Sequence, residues 1–357
     1  MPKHHLKGRW LPLALCMVLF ADARAGDPVR LAADEYATIR GRILDRASRD
    51  PLPHTNVFLA HTTLGVITGL DGHFHLKRIA PGTYQLVVNR VGYQTFTREI
   101  TLQPGDEQVV EMRLEQKTID GGEVEVVASI PKVWRSQLQR FKEAFIGETS
   151  NGRKCVIENP EVLRFEIESG SSDLIATSDS TLHITNHSLG YRLYVIIDQF
   201  RWGRVEGLYS IYPRFEELEA RDEEEMKKWR KQRRATYYGS FRHFIACLAN
   251  RSAEMDGYQM FLKEIHEMNN AQGTRVFTDQ IVSTMPGMGQ QLHFDGMLQV
   301  IYRGSGGVSS IRLKQNHIII KSSGEIYPPL HAVLYGVWAN HRIADILPLD
   351  YHPQLLP

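Results

Sequence analysis

Two pairs of histidines have a spacing that could hold a metal ion. His73 and His75 lie two residues apart, which places both on one face of a strand. His183 and His187 lie four apart, the spacing of metal ligands on a helix, but Ile184-Thr185-Asn186 between them is poor helix sequence. Neither pair has an obvious third ligand nearby in the sequence, and histidines often occupy exposed strand positions. We therefore predict no metal site and no cofactor.

The sequence lacks the motifs of the common hydrolases. No histidine is followed by glutamate three residues later, and His266-Glu267-Met268-Asn269-Asn270 lacks the second histidine of a metalloprotease helix. No Gly-x-Ser-x-Gly nucleophile elbow exists, and Ser305 lies in the glycine turn Gly304-Ser305-Gly306-Gly307. We predict no catalytic residue and a protein that is not an enzyme. The alternative is an unrecognised hydrolase in the second half, which would need a cleft with convergent polar groups.

Length and charge narrow the class of protein. The chain has 357 residues, enough for two domains. Its 42 Lys and Arg against 41 Asp and Glu give a net charge of +1, which argues against a nucleic-acid-binding protein. Three cysteines are too few for a disulfide scaffold. The chain is therefore expected to be globular.

The N-terminal 25 residues have the layout of a secretory signal peptide. Basic residues precede an apolar stretch from Trp10 to Phe20, and Ala23-Arg24-Ala25 ends it as a small-x-small cleavage site. The stretch is too short to span a bilayer. An N-terminal anchor helix and a lipoprotein with Cys16 at its start are the alternatives, but Leu15 precedes Cys16 where a small residue is expected. We predict cleavage between Ala25 and Gly26, and no transmembrane segment in the mature chain.

Two cysteines remain after this cleavage, Cys155 and Cys247. In an oxidising compartment they could pair. Cys247 also lies among apolar residues at helical spacing, which favours a buried free thiol; these are Phe241, Phe244, Ile245 and Leu248. The sequence leaves the pairing open.

Residues 36–115 have the pattern of a β-sandwich. Short alternating stretches are separated by turn signals, and about seven strands fit the range. In 73–76 the alternation places Phe74 and Leu76 inside. Asp71-Gly72 is suited to a type I′ hairpin turn between the stretches on either side. We expect this range to fold on its own.

The same residues resemble the carboxypeptidase regulatory-like domain. The resemblance is carried by five motifs in order, Gly41-Arg42-Ile43-Leu44-Asp45, Pro51-Leu52-Pro53-His54-Thr55-Asn56-Val57, Thr68-Gly69-Leu70-Asp71-Gly72-His73-Phe74, Pro81-Gly82-Thr83-Tyr84-Gln85-Leu86 and Val91-Gly92-Tyr93. It implies a transthyretin-like (prealbumin-like) seven-stranded sandwich, frequent in secreted and outer-membrane proteins of Bacteroidetes-type bacteria. None of these motif residues is catalytic in that family, so the resemblance implies a fold and not an activity.

Residues 116–132 are predicted to be a linker and 133–357 a mixed, β-rich α+β domain. Its first part is expected to contain a helix over 134–146 and strands over 162–167, 174–184 and 189–200. The charged segment 216–234 is predicted to be a solvated helix. A second helix is expected over 239–250, and strands over 294–302, 311–314, 318–322 and 332–338. Residues 258–262 are ambiguous between helix and strand.

The C-terminal half also resembles an envelope-protein region that follows the regulatory-like domain in many Bacteroidetes-type proteins. The matching strings are Phe141-Lys142-Glu143-Ala144-Phe145-Ile146-Gly147, Asn159-Pro160-Glu161-Val162-Leu163, Leu189-Gly190-Tyr191, Tyr238-Gly239-Ser240-Phe241-Arg242-His243-Phe244 and Ile346-Leu347-Pro348-Leu349-Asp350-Tyr351. No activity is implied by this resemblance. About 225 residues follow the linker, too few for a TonB-dependent receptor.

These observations predict an exported envelope protein, periplasmic or associated with the outer membrane, that binds or scaffolds. Its expected partner is an envelope protein or a glycan, with no nucleic acid. An accessory subunit of an outer-membrane complex is a second alternative, which should show a large apolar surface patch. The candidate binding residues are aromatics without a clear periodic core role, since exposed aromatics favour protein and sugar recognition. They are Trp202, Tyr209, Tyr212, Trp229, Tyr237 and Tyr327.

Overall fold

The computed structural model describes residues 35–117, 132–204, 207–263, 273–285 and 289–353. The predicted signal peptide with its cleavage site at Ala25 and Gly26, and most of the predicted linker, lie outside these residues. Within the described ranges the chain forms β-sheets with a few helices between them. No helix there is long and apolar enough to cross a membrane.

The first seven strands form the predicted β-sandwich. Their bounds are β1 (Ala37–Asp45), β2 (Asn56–Leu59), β3 (Gly65–Ile67), β4 (His73–Ile79), β5 (Gly82–Asn89), β6 (Phe96–Leu102) and β7 (Glu107–Leu114). One sheet has the order β4-β1-β7 and the other β3-β2-β5-β6. Phe74 and Leu76 of β4 are buried while His73 and His75 are exposed, because successive side chains point to opposite faces of a strand. The inward aliphatic residues of both sheets share one core.

The turn at Asp71-Gly72 is not the hairpin turn that the sequence predicts. β3 and β4 belong to different sheets, so the turn carries the chain across the sandwich. Only Gly72 of the pair has a positive φ, 75°, whereas a type I′ turn needs one at both positions. The sequence therefore predicts the position of the turn. It does not predict which strands pair on either side of it, because that pairing depends on long-range packing.

The first part of the C-terminal region is a six-stranded sheet covered by a helix. Its strands are β8 (Cys155–Ile157), β9 (Leu163–Ile167), β10 (Leu174–Ser178), β11 (Leu182–Asn186), β12 (Tyr191–Trp202) and β13 (Gly207–Glu217). The order is β8-β11-β12-β10-β9, and β13 pairs with β12. The helix α1 (Lys132–Phe141) continues into a π-helical turn (Lys142–Ile146). Phe141 and Phe145 pack against Phe200 of β12 at ring-centroid distances of 4.9 and 5.8 Å.

The second part is built from two further sheets and short helices. Its elements are α2 (Glu223–Tyr237), α3 (Phe241–Ala249), β14 (Tyr258–Lys263), β15 (Thr274–Val276), α4 (Thr278–Ile281), β16 (Val282–Met285), β17 (Gly289–His293), β18 (Met297–Tyr302), β19 (Val308–Leu313), β20 (His317–Ile320), β21 (Ile326–Tyr327), β22 (Ala332–Gly336) and α5 (Val337–Asn340). The sheet orders are β15-β14-β18-β19-β22 and β16-β17-β20-β21. Phe244 and Leu248 of α3 share their core with Trp338.

Several predicted elements have different bounds: the strand predicted over 332–338 ends at Gly336, after which α5 begins, and the strand predicted over 294–302 begins at Met297. The charged helix predicted over 216–234 begins only at Glu223, because the chain up to Glu217 completes β13 and Asp222 caps the helix by accepting from the N–H of Glu225 at 2.7 Å. The strand predicted over 174–184 is two strands, β10 and β11. The ambiguous stretch 258–262 belongs to a strand, β14.

The sandwich packs directly on the six-stranded sheet. Phe58, Ala60 and Val87 of the sandwich form a small apolar cluster with Ile196 and Tyr212. Backbone hydrogen bonds extend this contact, since the N–H of residue 61 donates to the carbonyl of residue 213 at 2.7 Å and the N–H of residue 215 to the carbonyl of residue 62 at 2.9 Å. The two parts therefore meet through both side chains and backbone.

Candidate functional site

A polar groove lies where the π-helical turn meets the C-terminal segment. It is lined by Glu143, Gly147, Glu148, Asn340 and Arg342 and has a volume of about 470 Å³. We call it the Gly147 groove. An extension of about 240 Å³ shares its first three residues and continues past other side chains, among them Gln139, Lys142, Arg153 and Cys155. The combined space is large enough for several units of an extended polar ligand.

Two glycines allow the loop at the centre of the groove to close. Gly147 ends the π-helical turn at φ 90°, and a Cβ there would lie 2.9 Å from Cγ of Arg342. A Cβ on Gly152 would lie 2.1 Å from the carbonyl oxygen of Gly147. A side chain at Gly147 would push the loop away from the C-terminal segment, and one at Gly152 would separate the loop from the end of the π-helical turn.

Aromatic side chains support the groove from beneath. The guanidinium of Arg342 lies over the ring of Trp202, 4.8 Å from its centroid. Tyr209 contacts Phe145 edge to face at 5.5 Å. Burial lowers the pKa of the half-buried Arg342, which nevertheless stays charged at neutral pH because an arginine pKa starts so high. Two of the six candidate aromatics thus lie directly behind the groove.

A buried polar network fixes the loop that follows Gly147. Asn151 donates from Nδ2 to Oδ1 of Asp345 at 2.9 Å and accepts at Oδ1 from the hydroxyl of Ser188 at 2.7 Å. Thr149 donates to both carboxylate oxygens of Asp345 at 3.0 Å. Asn186 reaches the same segment by donating to the carbonyl of Ala344 at 2.9 Å. These bonds join residues almost 200 positions apart and make the groove a preformed feature.

The charges that line the groove are of both signs. Lys142, Arg153 and Arg342 are positive, and Glu143 and Glu148 are negative. Glu143 accepts from Gln139 at 2.8 Å, and Arg153 donates to the backbone carbonyl of residue 148 at 2.7 Å. The near balance gives no strong field for a polyanion.

Both cysteines of the described chain are free thiols, so the pairing that the sequence left open does not occur in this structure. Cys155 lines the extension of the groove, and burial raises its pKa to about 12. A thiol protonated at neutral pH is a poor nucleophile. No histidine lies among the described residues that line the groove.

The other candidate aromatics are dispersed. Tyr212 packs at the contact with the sandwich, and Tyr237 contacts the rings of Tyr238 and Tyr351. Trp229 is only 5% exposed and donates from its indole N–H to the carbonyl of residue 187 at 3.0 Å. Tyr327, on β21, is 46% exposed and lies on a different sheet from the groove. A ligand-binding role for the six residues stays a prediction.

Among the described residues, neither histidine pair belongs to a group of three metal-ligating side chains. Nδ1 of His73 lies 3.0 Å from a carboxylate oxygen of Asp71 on the exposed face of β4. His183 lies on β11, where its ring contacts Tyr194 edge to face at 5.0 Å. The grouping with metal-ligand geometry instead contains His243 and Cys247. Their i, i+4 spacing within the predicted helix 239–250 is the sequence signal for it, which we interpreted only as a buried thiol or a disulfide partner.

Arg342 and Asn340 were not singled out from the sequence either. They follow the short helix α5 and have no motif around them. Their position in the groove depends on the network through Asp345, which no local pattern encodes. Gly147 offered a partial signal, because a glycine after a helical pattern marks a helix end.

Comparison with known proteins identifies the sandwich. Residues 39–126 match the model of the CarboxypepD_reg-like domain, a family of non-catalytic modules. The β-sandwich is therefore a carboxypeptidase regulatory-like domain, as its five motifs predict. No curated protein matches the chain.

Several solved structures show a distant likeness. The pilus 2b backbone protein of group B streptococcus is 17% identical, with 23% of this chain and 41% of that one covered and a TM-score of 0.20. A Bacteroides uniformis protein whose proposed role is carbohydrate binding is 11% identical over 52% of this chain and 80% of that one, with a TM-score of 0.20. A Bacteroides fragilis protein of unknown function is 13% identical over 85% and 96%, again with a TM-score of 0.20. The chain spans less than half of the pilus protein, and no conclusion rests on TM-scores this low.

Proposed function

We propose that this protein is an exported, non-catalytic binding protein of the cell envelope, and that the Gly147 groove holds a glycan. Export is supported by the signal-peptide pattern of residues 1–25. A role in binding is supported by the regulatory-like domain, whose family is non-catalytic. One observation supports the site above all others. The half-buried guanidinium of Arg342 lies over the ring of Trp202 and lines the polar groove.

The composition of the groove favours a neutral, hydroxyl-rich ligand. Arg342 makes one hydrogen bond in the described structure, to the carbonyl of residue 341 at 3.2 Å, so most of its five N–H donors are available to a ligand. Glu143 and Glu148 present acceptors, and Asn340 presents both a donor and an acceptor. Paired hydroxyls of a sugar can satisfy such groups without an opposite net charge. An apolar peptide would leave the same groups desolvated and unpaired.

The regulatory-like domain is proposed to hold the binding region at a fixed orientation. It contacts the six-stranded sheet through the Phe58 cluster and backbone bonds, and the C-terminal segment crosses to it. Thr63 donates its backbone N–H to Asp350 at 3.0 Å, and its hydroxyl bonds to the same carboxylate. This arrangement suits a module that presents the groove to an envelope polymer.

Glycan binding can be tested with the purified chain and an array of bacterial envelope glycans. A glycan that is retained would then be titrated calorimetrically. Arg342→Ala should weaken binding at least about tenfold, because a lost charged hydrogen bond is worth roughly 1.5–3 kcal/mol. Arg98→Ala is the matched control, since Arg98 is an exposed arginine of the sandwich, and its effect should stay within about twofold.

A second variant protects this test against misfolding. Glu143→Gln with Glu148→Gln changes only exposed side chains, so it should leave the melting temperature unchanged and still weaken binding. Unchanged affinity in both this double variant and Arg342→Ala would contradict the assignment of the groove. Retention of peptides and of no glycan would contradict the ligand class.

A protein contact is the second candidate function, and the edge at β22 favours it. β22 ends its sheet in the described structure, and Val308, Tyr335 and Val337 beside it are exposed. Strand edges with apolar side chains are typical of surfaces that another chain covers. This would suit the accessory subunit of an outer-membrane complex. Tyr335→Lys should then abolish co-purification of an envelope protein and leave glycan binding intact, and unchanged co-purification would exclude this edge.

A further inference from the structure

One helix and the turn after it bring three metal-ligand side chains together, far along the chain from the Gly147 groove. His243 and Cys247 lie on α3 at positions i and i+4, so both point to one face. The turn then folds back, with the N–H of Ser252 donating to the carbonyl of Cys247 at 2.9 Å, and brings Asp256 to the same face. A ligand atom from each of the three residues lies within 4.8 Å of the other two. We call this group the His–Cys–Asp cluster.

Neighbouring side chains hold two of the three ligands in place. Nδ1 of His243 lies 2.7 Å from the hydroxyl of Tyr258 and accepts from the backbone N–H of Gly239 at 3.2 Å, and the hydroxyl of Ser252 donates to Oδ2 of Asp256 at 2.6 Å. Metal binding through Nε2 requires the ring proton to move to Nδ1, where it can donate to the hydroxyl oxygen of Tyr258. Aromatic rings enclose the imidazole, with Tyr238 at 5.1 Å and Tyr302 at 5.8 Å between centroids. Outer hydrogen bonds of this kind orient the ligands in metal sites.

The donor types select the class of metal. A thiolate and an imidazole suit zinc and similar transition metals, whereas calcium and magnesium need oxygen ligands throughout. Thiolate and carboxylate together carry two negative charges, which a divalent cation neutralises in a largely buried position. In a tetrahedral zinc site, neighbouring ligand atoms are about 3.3–3.8 Å apart. The three ligand atoms here would each need to move by only about 1 Å, through side-chain rotation, to reach these distances.

Burial and access fit a site with one open side. His243 and Cys247 are each 5% exposed, while Asp256 is exposed. The ion can therefore enter past the carboxylate, and water can take the fourth position. We propose that His243, Cys247 and Asp256 bind a divalent transition metal of the zinc class with a water molecule as fourth ligand. This proposal is independent of glycan binding.

Cobalt reports directly on the thiolate. The full chain, stripped with a chelator, is titrated with Co²⁺ and then with Zn²⁺. Binding should produce the sulfur-to-cobalt charge-transfer absorption in the near ultraviolet together with intense visible bands of a four-coordinate ion, and Zn²⁺ should displace it. Zn²⁺ should also raise the melting temperature, since a ligand that binds only the folded chain stabilises it.

Matched cysteine variants locate the site. Cys247→Ser should abolish the charge-transfer band, whereas Cys155→Ser should retain it. Asp256→Asn should weaken zinc affinity at least about tenfold, because losing even an outer-shell partner costs 10–100-fold. This variant changes an exposed residue of a turn, so it decides the question if Cys247→Ser fails to fold. The absence of a cobalt–thiolate band in the wild-type chain, or its persistence in Cys247→Ser, would overturn the proposal, as would unchanged zinc affinity in Asp256→Asn.

Discussion

Replacing Arg242 by methionine should destabilise the protein strongly. Arg242 lies on α3, is partly buried, and among the described residues donates hydrogen bonds only to backbone carbonyls. Its shortest bonds go to the carbonyls of Pro348 at 2.6 Å, Leu349 at 2.7 Å and Ser323 at 3.0 Å. Methionine keeps the apolar stem but removes every donor, so these buried carbonyls lose their partner.

The expected loss follows from those three bonds. A hydrogen bond from a charged group contributes roughly 1.5–3 kcal/mol, so the gross loss is about 5–9 kcal/mol. Part of this is recovered because methionine has no charge to desolvate, and an acceptor left without a partner costs about 1–3 kcal/mol, so we expect a net loss of about 3–5 kcal/mol for the three carbonyls. At about 2–4 °C per kcal/mol, the melting temperature should fall by roughly 10 °C.

Thermal unfolding followed by circular dichroism measures this effect. The matched control is Arg312→Met, since Arg312 is an exposed arginine on β19, and its change should stay within about 0.5 kcal/mol. Urea unfolding gives the free energy independently. If Arg242→Met melted within about 2 °C of the wild-type chain, the guanidinium would not be the anchor of the C-terminal segment, and the reasoning from unpaired carbonyls would be refuted.

Three other measurements test the sandwich and its export. Gly72→Val should destabilise the protein by more than about 1 kcal/mol, because the φ of Gly72 is 75° and a Cβ there would lie 2.6 Å from the carbonyl oxygen of Ile43. The control Gly92→Val has a similar φ of 83° but open space around the Cβ, so it should cost only the backbone strain. Equal losses in the two variants would contradict the clash at Gly72. Backbone N–H groups and two side-chain donors lower the pKa of Asp45 to about 2 from 3.8. The ionised carboxylate should therefore stabilise the fold fully above pH 3.8, and this contribution should disappear as the pH falls through about 2. When the free energy of unfolding is followed against acid pH, Asp45→Asn should lose this dependence, and identical curves for variant and wild type would contradict the assignment. N-terminal sequencing of the exported protein should begin at or near Gly26, and an intact Met1 would refute the signal-peptide assignment.

The sandwich could be predicted because its information is local. The alternation in β4 is enough to place Phe74 and Leu76 inside, and a glycine with positive φ marks the turn at Gly72. What failed was pairing: β1 lies parallel to β7, and the turn at Gly72 changes sheets. Those contacts depend on residues far apart in sequence, which a local pattern does not report.

The candidate site was harder to predict for the same reason. Arg342 acquires its position from Trp202, and Asp345 from Asn151, both more than a hundred residues earlier. The i, i+4 charge pairs before Arg234 predict a solvated helix but do not show where it begins. The end of strand β13 also contains charged residues, so the charge pattern alone does not separate strand from helix. Aromatic residues were visible in the sequence, yet only packing decides which of them support a groove.

The C-terminal segment joins the features that matter for the proposed function. Asn340 and Arg342 form one wall of the groove, and Asp345 anchors the opposite loop. Leu349 follows a few residues after Asp345, and its carbonyl accepts a hydrogen bond from Arg242. The N–H of Leu349 donates to the carbonyl of residue 61 in the sandwich at 2.7 Å. Groove wall, anchor and sandwich contact therefore follow one another within twelve residues. Loss of the Arg242 anchor should consequently loosen both the sandwich contact and the groove, so the regulatory-like domain and the proposed binding groove should respond together to this substitution.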